Sequence, residues 1–334
     1  MLQSRFFKKP FSLLIYYTDK ILILNYGRKI MKKILTRLWY KISNKSKYQD
    51  SKIEENLKKR IEFYNSKIKP KITEFEKSIK NNKEINFSHS GHMGDIIYSL
   101  PVVKEIAKEK ICNFYIVANK PMEQKYFNHP SGKFYLDEKV IKMLLPLLNE
   151  QKYLNKVEIF NNQKIHVDMD LFRSMPANIQ YHSSRWFFHL TGIQVNLGGS
   201  FLQVNPHKTI NGKIVVLRTF RYRNCFINYK FLNEYKNIIF VGLKNEYDDL
   251  KKQVRNLEFY DCKDFLEMAE IIKASKFFVG NEGIGYAIAE ALKVPRLLEA
   301  SPDFPVIFPI GEKSFDFYHQ IHFEKFFKEL YKNT

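Results

Sequence analysis

Two short segments far apart in the chain constrain its fold most: Ser90–Pro101 (SGHMGDIIYSLP) and Phe278–Leu292 (FVGNEGIGYAIAEAL). Each reads as a strand end, a tight glycine turn and the first turns of a helix. Such a turn gathers free backbone N–H groups and can hold an anion. Two of them point to two α/β domains facing one cleft. That arrangement suits an enzyme that holds a nucleotide on one side and an acceptor on the other.

The rest of the chain supports this division. With 334 residues, 45% of them hydrophobic, it can build two domains with proper cores. In the first half, Glu84–Ser88 reads as a strand leading to Gly91 and Gly94. The helix that follows buries Ile96, Ile97, Leu100, Val103 and Ile106 on one side. Asn113–Ala118 and Ile165–Asp168 read as further strands, and Val140–Leu148 and His182–Leu190 as helices. Gly198, Gly199 and Pro206 mark a connection. In the second half, Lys213–Leu217, Asn237–Val241, Leu257–Phe259, Phe277–Val279 and Arg296–Leu298 read as strands, with a helix over Phe265–Ile272. Strands separated by single helices imply a parallel sheet, whose ligand crevice lies beyond the carboxyl ends of the strands. Pro302, Pro305 and Pro309 give an irregular exit, and Phe315–Leu330 reads as an aromatic helical tail.

Charge is distributed unevenly. Residues 1–49 hold twelve Lys/Arg and one acidic residue, Asp19, so more than half of the net charge of +20 sits there. Apolar and aromatic clusters interleave with it: Phe6–Phe7, Phe11–Tyr17, Ile21–Leu24, and Ile34, Leu35, Leu38 and Trp39. This combination fits a helix lying on an anionic membrane surface, and Asp19 and Lys20 keep the apolar run short of the ~20 residues needed to span a bilayer. Accessory packing with a solvated basic face is the alternative, and nucleic acid is disfavoured. Residues 50–83 read as a helical spacer, with Ile53, Leu57, Ile61, Tyr64 and Ile68 on one stripe and Pro70 ending or kinking its first helix. Three scattered cysteines suggest a reducing compartment. His89, His92 and Asp95 lack metal-ligand spacing.

The residues themselves carry a resemblance. Gly94-Asp95-Ile96-Ile97 with Leu100-Pro101, VGLKNE at 241–246, and VGNEG at 279–283 followed by AIAEALKVP at 287–295 together resemble the lipopolysaccharide heptosyltransferases, glycosyltransferase family 9. The likeness covers roughly residues 84–310. It implies the GT-B architecture: an α/β fold with two Rossmann-like domains facing a cleft, here over 84–200 (acceptor side) and 201–310 (nucleotide-sugar side). The N-terminal basic helical extension lies outside it. So does a C-terminal helix over 311–334, which in such enzymes packs back on the first domain. The implied reaction is inverting, metal-independent sugar transfer from a nucleotide-diphosphate donor, ADP-heptose being one candidate, to a lipopolysaccharide or other cell-surface glycan. The implied location is the inner face of a membrane. The donor is a substrate, so no cofactor is implied.

Position by position, Asp95 matches the general base, and a carboxylate at a helix start can take a proton from an attacking alcohol. The helix dipole would keep its pKa low. A plain helix cap is the competing reading. Glu246 matches the acid that grips the ribose. Arg218 and Arg221, with Thr219 secondary to them, stand where the family places groups near the diphosphate. Asn281, Glu282, Gly283, Ile284 and Gly285 form the second turn and depart from the family pattern. Gly283 replaces a hydroxyl residue, Ile284 a glycine, and Ala287 a histidine. A catalytically silent nucleotide- or glycan-binding homologue and a nucleotide-sugar epimerase on the same scaffold therefore stay open. Arg173, His182 and Arg185 could line the acceptor side or serve structural salt bridges.

Overall fold

The computed structural model describes residues 31–32, 34–122, 132–175, 182–304 and 306–334. The clusters at Phe6–Phe7, Phe11–Tyr17 and Ile21–Leu24, with Asp19, and also Pro305, lie outside them. The chain forms two compact units, Met1–Ser66 and Lys67–Thr334. The spacer expected over 50–83 is thus divided between them.

In the first unit residues 34–43 are helical, and Asn44 then caps helix α1 (Lys45–Phe63) by accepting the Lys47 N–H at 3.0 Å. No described helix is long and apolar enough to cross a membrane. A π-helical turn, Tyr64–Ile68, leads to α2 (Lys69–Asn81), with Pro70 in its first turn. Proline has no N–H to donate, and it stands where the helix passes from the π-helical turn into α2. The apolar stripe changes environment at this point: Ile53, Leu57, Ile61 and Tyr64 are exposed, whereas Ile68 and Phe75 are buried in the core of the second unit.

The second unit holds two parallel sheets. The first contains β1 (Glu84–His89), β2 (Ile111–Ile116), β3 (Lys156–Ile159) and β4 (Val167–Asp168) in the order β3-β2-β1-β4. Its helices are α3 (Met93–Ile106), α4 (Glu138–Asn149) and α5 (Ser183–Thr191). Strand β3 carries one fully buried side chain in four residues, too weak a pattern for the sequence to announce.

The second sheet runs β10-β9-β8-β5-β6-β7 and is also parallel throughout. Its elements are β5 (Ile214–Leu217), β6 (Ile238–Val241), α6 (Lys244–Lys251), β7 (Glu258–Tyr260), α7 (Phe265–Lys273), β8 (Phe277–Asn281), α8 (Ile284–Leu292), β9 (Arg296–Glu299), β10 (Ser314–Phe317) and α9 (Gln320–Asn333). The tail differs from its expected form in two ways. Phe315 and Phe317 belong to β10, which pairs with β9, and the helix starts only at Gln320. Phe323, Phe327 and Leu330 then pack on Ile214, Val216 and Phe277, so α9 closes the second sheet rather than reaching back to the first. Aromatic residues suit either element, and pairing to a buried strand decides between them.

Strand order reverses at β1, between β2 and β4, and at β5, between β6 and β8. Ligand crevices open at such reversals. The glycine turn at 90–92 leaves β1, and the turn at 282–283 leaves β8 beside β5. Helix α3 packs on α8, and α4 on α7, within one apolar core that spans both sheets. A methyl group built on Gly94 would stand 4.0 Å from Ala287 Cβ, so the helices that start from the two turns meet at their first turns.

Candidate functional site

A cavity of about 650 Å³ lies between the carboxyl ends of the two sheets. The first domain contributes Asp95 and Tyr98. The second contributes Thr219, Arg221, Glu246, Glu282, Gly283 and Ile284. Residues from both halves thus share one space. Arg218, Asn281 and Gly285 do not line it.

Asp95 sits in the first turn of α3, where it accepts the His92 N–H at 3.2 Å, so the cap and the cavity-facing acid are one residue. Its Oδ2 also takes a bond from Arg173 Nη2 at 2.7 Å. Oδ1 has no hydrogen-bond partner among the described residues. Burial pushes the carboxyl up, but the Arg173 guanidinium, with His92 and His89, outweighs this and holds it below the usual carboxylate value. Among the charges that lower it, Arg173 is the largest. Arg173 is held in turn by Asp170, which also pairs with Lys120 at 2.9 Å and with His89 Nδ1 at 3.2 Å. Its guanidinium lies over the rings of Tyr135 and Phe172. Arg173 is therefore the group that sets the state of Asp95. Burial keeps His92 neutral, its pKa lowered to about 4.

On the opposite side, the loops after β5 and β8 are stitched together by Asn281. Its Oδ1 accepts the Thr219 N–H at 2.8 Å and its Nδ2 donates to the Thr219 carbonyl at 2.9 Å. Asn281 is fully buried, so its role is to hold Thr219 at the cavity wall. Gly285 is a packing position: a methyl group there would stand 2.7 Å from Leu217 Cδ1. Gly283, at φ +154°, carries the turn itself. Arg218 is the clearest correction. It points away from the cavity into a buried pair with Glu299, donating from Nε and Nη2 at 2.7 Å each. Three arginines in six residues (218, 221, 223) look alike in sequence, and only their partners separate them. Arg223 pairs with Asp249. Arg221 lines the cavity, and its Nη1 is buried without a hydrogen-bond partner among the described residues. A guanidinium N–H left so is ready for an anionic oxygen.

Two acids complete the wall. Glu246 accepts the Phe220 N–H at 3.1 Å, and burial raises its pKa despite that bond and the nearby Arg223 and Arg221. Glu282 is 4% exposed and has no ion-pair partner among the described residues. Burial pushes its carboxyl up to about 8, so at neutral pH it is mostly protonated and can donate a hydrogen bond. Because the folded form keeps a proton that the unfolded chain releases near 4.5, stability falls as pH rises from about 4.5 to about 8. Glu282→Gln is expected to remove that dependence, leaving the variant more stable than the wild type at pH 8 by on the order of a few kcal/mol. Urea titrations at pH 5, 6.5 and 8 measure this, and parallel pH profiles for the two proteins would contradict the assignment.

The fold is similar to that of several solved structures. The E. coli heptosyltransferase WaaC, solved with ADP-2-deoxy-2-fluoro heptose, superposes at a TM-score of 0.50 with 12% sequence identity, over 74% of this chain and 99% of WaaC. The fold is GT-B. A family 9 glycosyltransferase from Veillonella parvula is similar at 10% identity and a TM-score of 0.47, over 75% of this chain and 89% of its own. E. coli ADP-heptose heptosyltransferase II is similar at 12% identity and a TM-score of 0.42, over 75% and 98%. No protein-family model matches the sequence, and no curated protein matches it. In the GT-B frame the cavity is the interdomain cleft. Asp95 stands on its N-terminal side, and Arg221, Glu246 and Glu282 on its C-terminal side. Among the described residues no group of three or more His, Cys, Asp or Glu is placed to hold a metal ion.

Proposed function

We propose that the protein is an inverting, metal-independent glycosyltransferase. It moves a sugar from a nucleotide-diphosphate donor, with ADP-heptose the first to test, to a lipopolysaccharide or other cell-surface glycan. One observation carries this reading: an ionised carboxylate on one domain shares an interdomain cavity with two buried acids on the other and with Arg221, whose Nη1 has no hydrogen-bond partner among the described residues.

In this reading Asp95 takes the proton of the acceptor hydroxyl as its oxygen bonds to the anomeric carbon. The bond from that carbon to the donor's diphosphate breaks on the opposite face, which inverts the centre. Arg221 and the backbone N–H groups of Gly283 and Ile284 receive the charge that collects on the leaving diphosphate, with Thr219 held beside them by Asn281. Glu246 accepts the ribose hydroxyls. Glu282, mostly protonated at neutral pH, adds no repelling charge and donates to a donor oxygen. Residues 1–49 hold the enzyme at the anionic inner face of the membrane, where a lipid-linked acceptor would stand.

Calorimetry with a panel of nucleotide sugars tests the donor side. One donor class is expected to bind, and Glu246→Ala is expected to weaken it roughly tenfold to a hundredfold, the loss of a hydrogen bond to a charged group. Failure of every nucleotide to bind the wild type would overturn the proposal. Binding without turnover would instead identify a silent homologue.

A further inference from the structure

The described residues of the first unit pair their charges and leave their apolar side chains exposed. Its helical residues 34–43 and α1 meet through polar groups. Arg37 pairs with Glu55, which also takes Lys59 at 3.1 Å, and the Arg37 guanidinium lies over the Tyr48 ring. Along α1 the partly covered residues are Tyr48, Ser51 and Glu55, which recur at helical spacing on one face. Ile53, Leu57, Ile61 and Tyr64 recur on another, about half a turn away, and are 40–58% exposed. On the preceding helix Ile34, Leu35, Leu38, Trp39 and Ile42 are also exposed, Ile42 at 90%. A hairpin that pairs its charges and turns its apolar residues outward leaves a surface that water does not favour.

We infer that α1 is a lipid-docking element, extending the membrane surface beyond residue 49 through Ile53, Leu57 and Ile61, with Tyr64 of the following π-helical turn beside them. This rests on the membrane reading proposed for residues 1–49 and adds a second apolar stripe to it. Charge selects the occupant. From Lys20 to Gln49 the sequence has no Asp or Glu, while Lys32, Arg37, Lys41, Lys45 and Lys47 are all basic. A second copy of the chain would bring like charges together, whereas an anionic lipid headgroup layer complements them. On α1 itself Lys45, Lys47, Lys52, Lys58, Lys59 and Arg60 outnumber Asp50, Glu54, Glu55 and Glu62, so the sign continues, and Trp39 suits the headgroup level.

Flotation of the full-length protein with vesicles of phosphatidylglycerol and phosphatidylethanolamine tests the inference. Ile53→Ser, Leu57→Ser and Ile61→Ser combined, with residues 1–49 intact, are expected to weaken binding roughly tenfold or more, because three apolar anchors leave the lipid. Exposed side chains are replaced, so circular dichroism should not change. Wild-type protein that binds while the triple variant binds equally would overturn the role of α1 and leave residues 1–49 as the membrane segment. A wild type that binds no anionic vesicle would overturn both. Loss of binding accompanied by a change from dimer to monomer in lipid-free light scattering would assign the stripe to a second copy of the chain and also refute the inference.

Discussion

Asp95→Asn is expected to bind the nucleotide-sugar donor as the wild type does and to lose about 10²- to 10⁴-fold in turnover, the usual range for removing a general base. The expectation follows from the two oxygens of Asp95. Oδ2 is occupied by the His92 N–H and by Arg173, while Oδ1 carries neither bond. Asparagine preserves the volume and can keep the cap bond, so α3 should start as before. It cannot take a proton from an alcohol. It also leaves the Arg173 guanidinium without one of its two carboxylate partners, Asp170 remaining. Donor groups stand on the other domain and should be unaffected. A variant with wild-type turnover would show that Asp95 is only the helix cap. Because Arg173 holds the carboxyl low, the acid limb of the wild-type pH profile should lie below the ordinary carboxylate range.

The second large effect is on stability. Glu299→Ala is expected to cost about 3–5 kcal/mol, the scale for breaking a buried ion pair by removing one member. Glu299 is completely buried at the end of β9. It accepts two bonds from Arg218, one from the Asn224 N–H at 2.7 Å and one from the Tyr229 hydroxyl at 2.8 Å. Its loss leaves the buried Arg218 guanidinium without a counter-charge, with only the Asn224 and Ile227 carbonyls as acceptors, and frees the loop after β5, which carries Thr219 and Arg221 to the cavity. Donor affinity should therefore fall together with the urea midpoint. Combining Glu299→Leu with Arg218→Met should recover much of the stability, since no charge is left unpaired. It should recover less of the donor affinity, because the bonds from Asn224 and Tyr229 are still missing. A Glu299→Ala protein as stable as the wild type would contradict this account of the loop.

These cases show where local sequence is informative. The two glycine turns, the βα rhythm and the cavity-lining positions of Asp95, Thr219, Arg221, Glu246 and Glu282 follow from short patterns, because a strand end fixes which residue reaches the crevice. What local pattern cannot carry is the choice of partner. Arg218 and Arg221 are three residues apart in the same basic run, yet Glu299 claims the first and leaves the second to the cavity. Asn281 reads as part of a phosphate turn but is consumed in holding Thr219. Arg173 lies far from Asp95 in sequence, and only folding makes it the group that holds that carboxyl ionised. Ala287, where the resemblance implies histidine, is fully buried opposite Gly94, in a helix contact with little room for a ring. The tail shows the same limit: pairing with β9 makes residues 314–317 a strand.

The central claim is sugar transfer from a nucleotide-diphosphate donor across this cleft. Its most direct measurement is nucleoside diphosphate release from a panel of nucleotide sugars, ADP-heptose first, with membrane glycolipid as acceptor and EDTA present, followed by NMR of the new glycosidic bond. The predicted result is acceptor-dependent release that EDTA does not abolish, with inversion at the anomeric carbon and loss of product in Asp95→Asn. Retention of the anomeric configuration, or release that proceeds equally well without Asp95, would contradict the account.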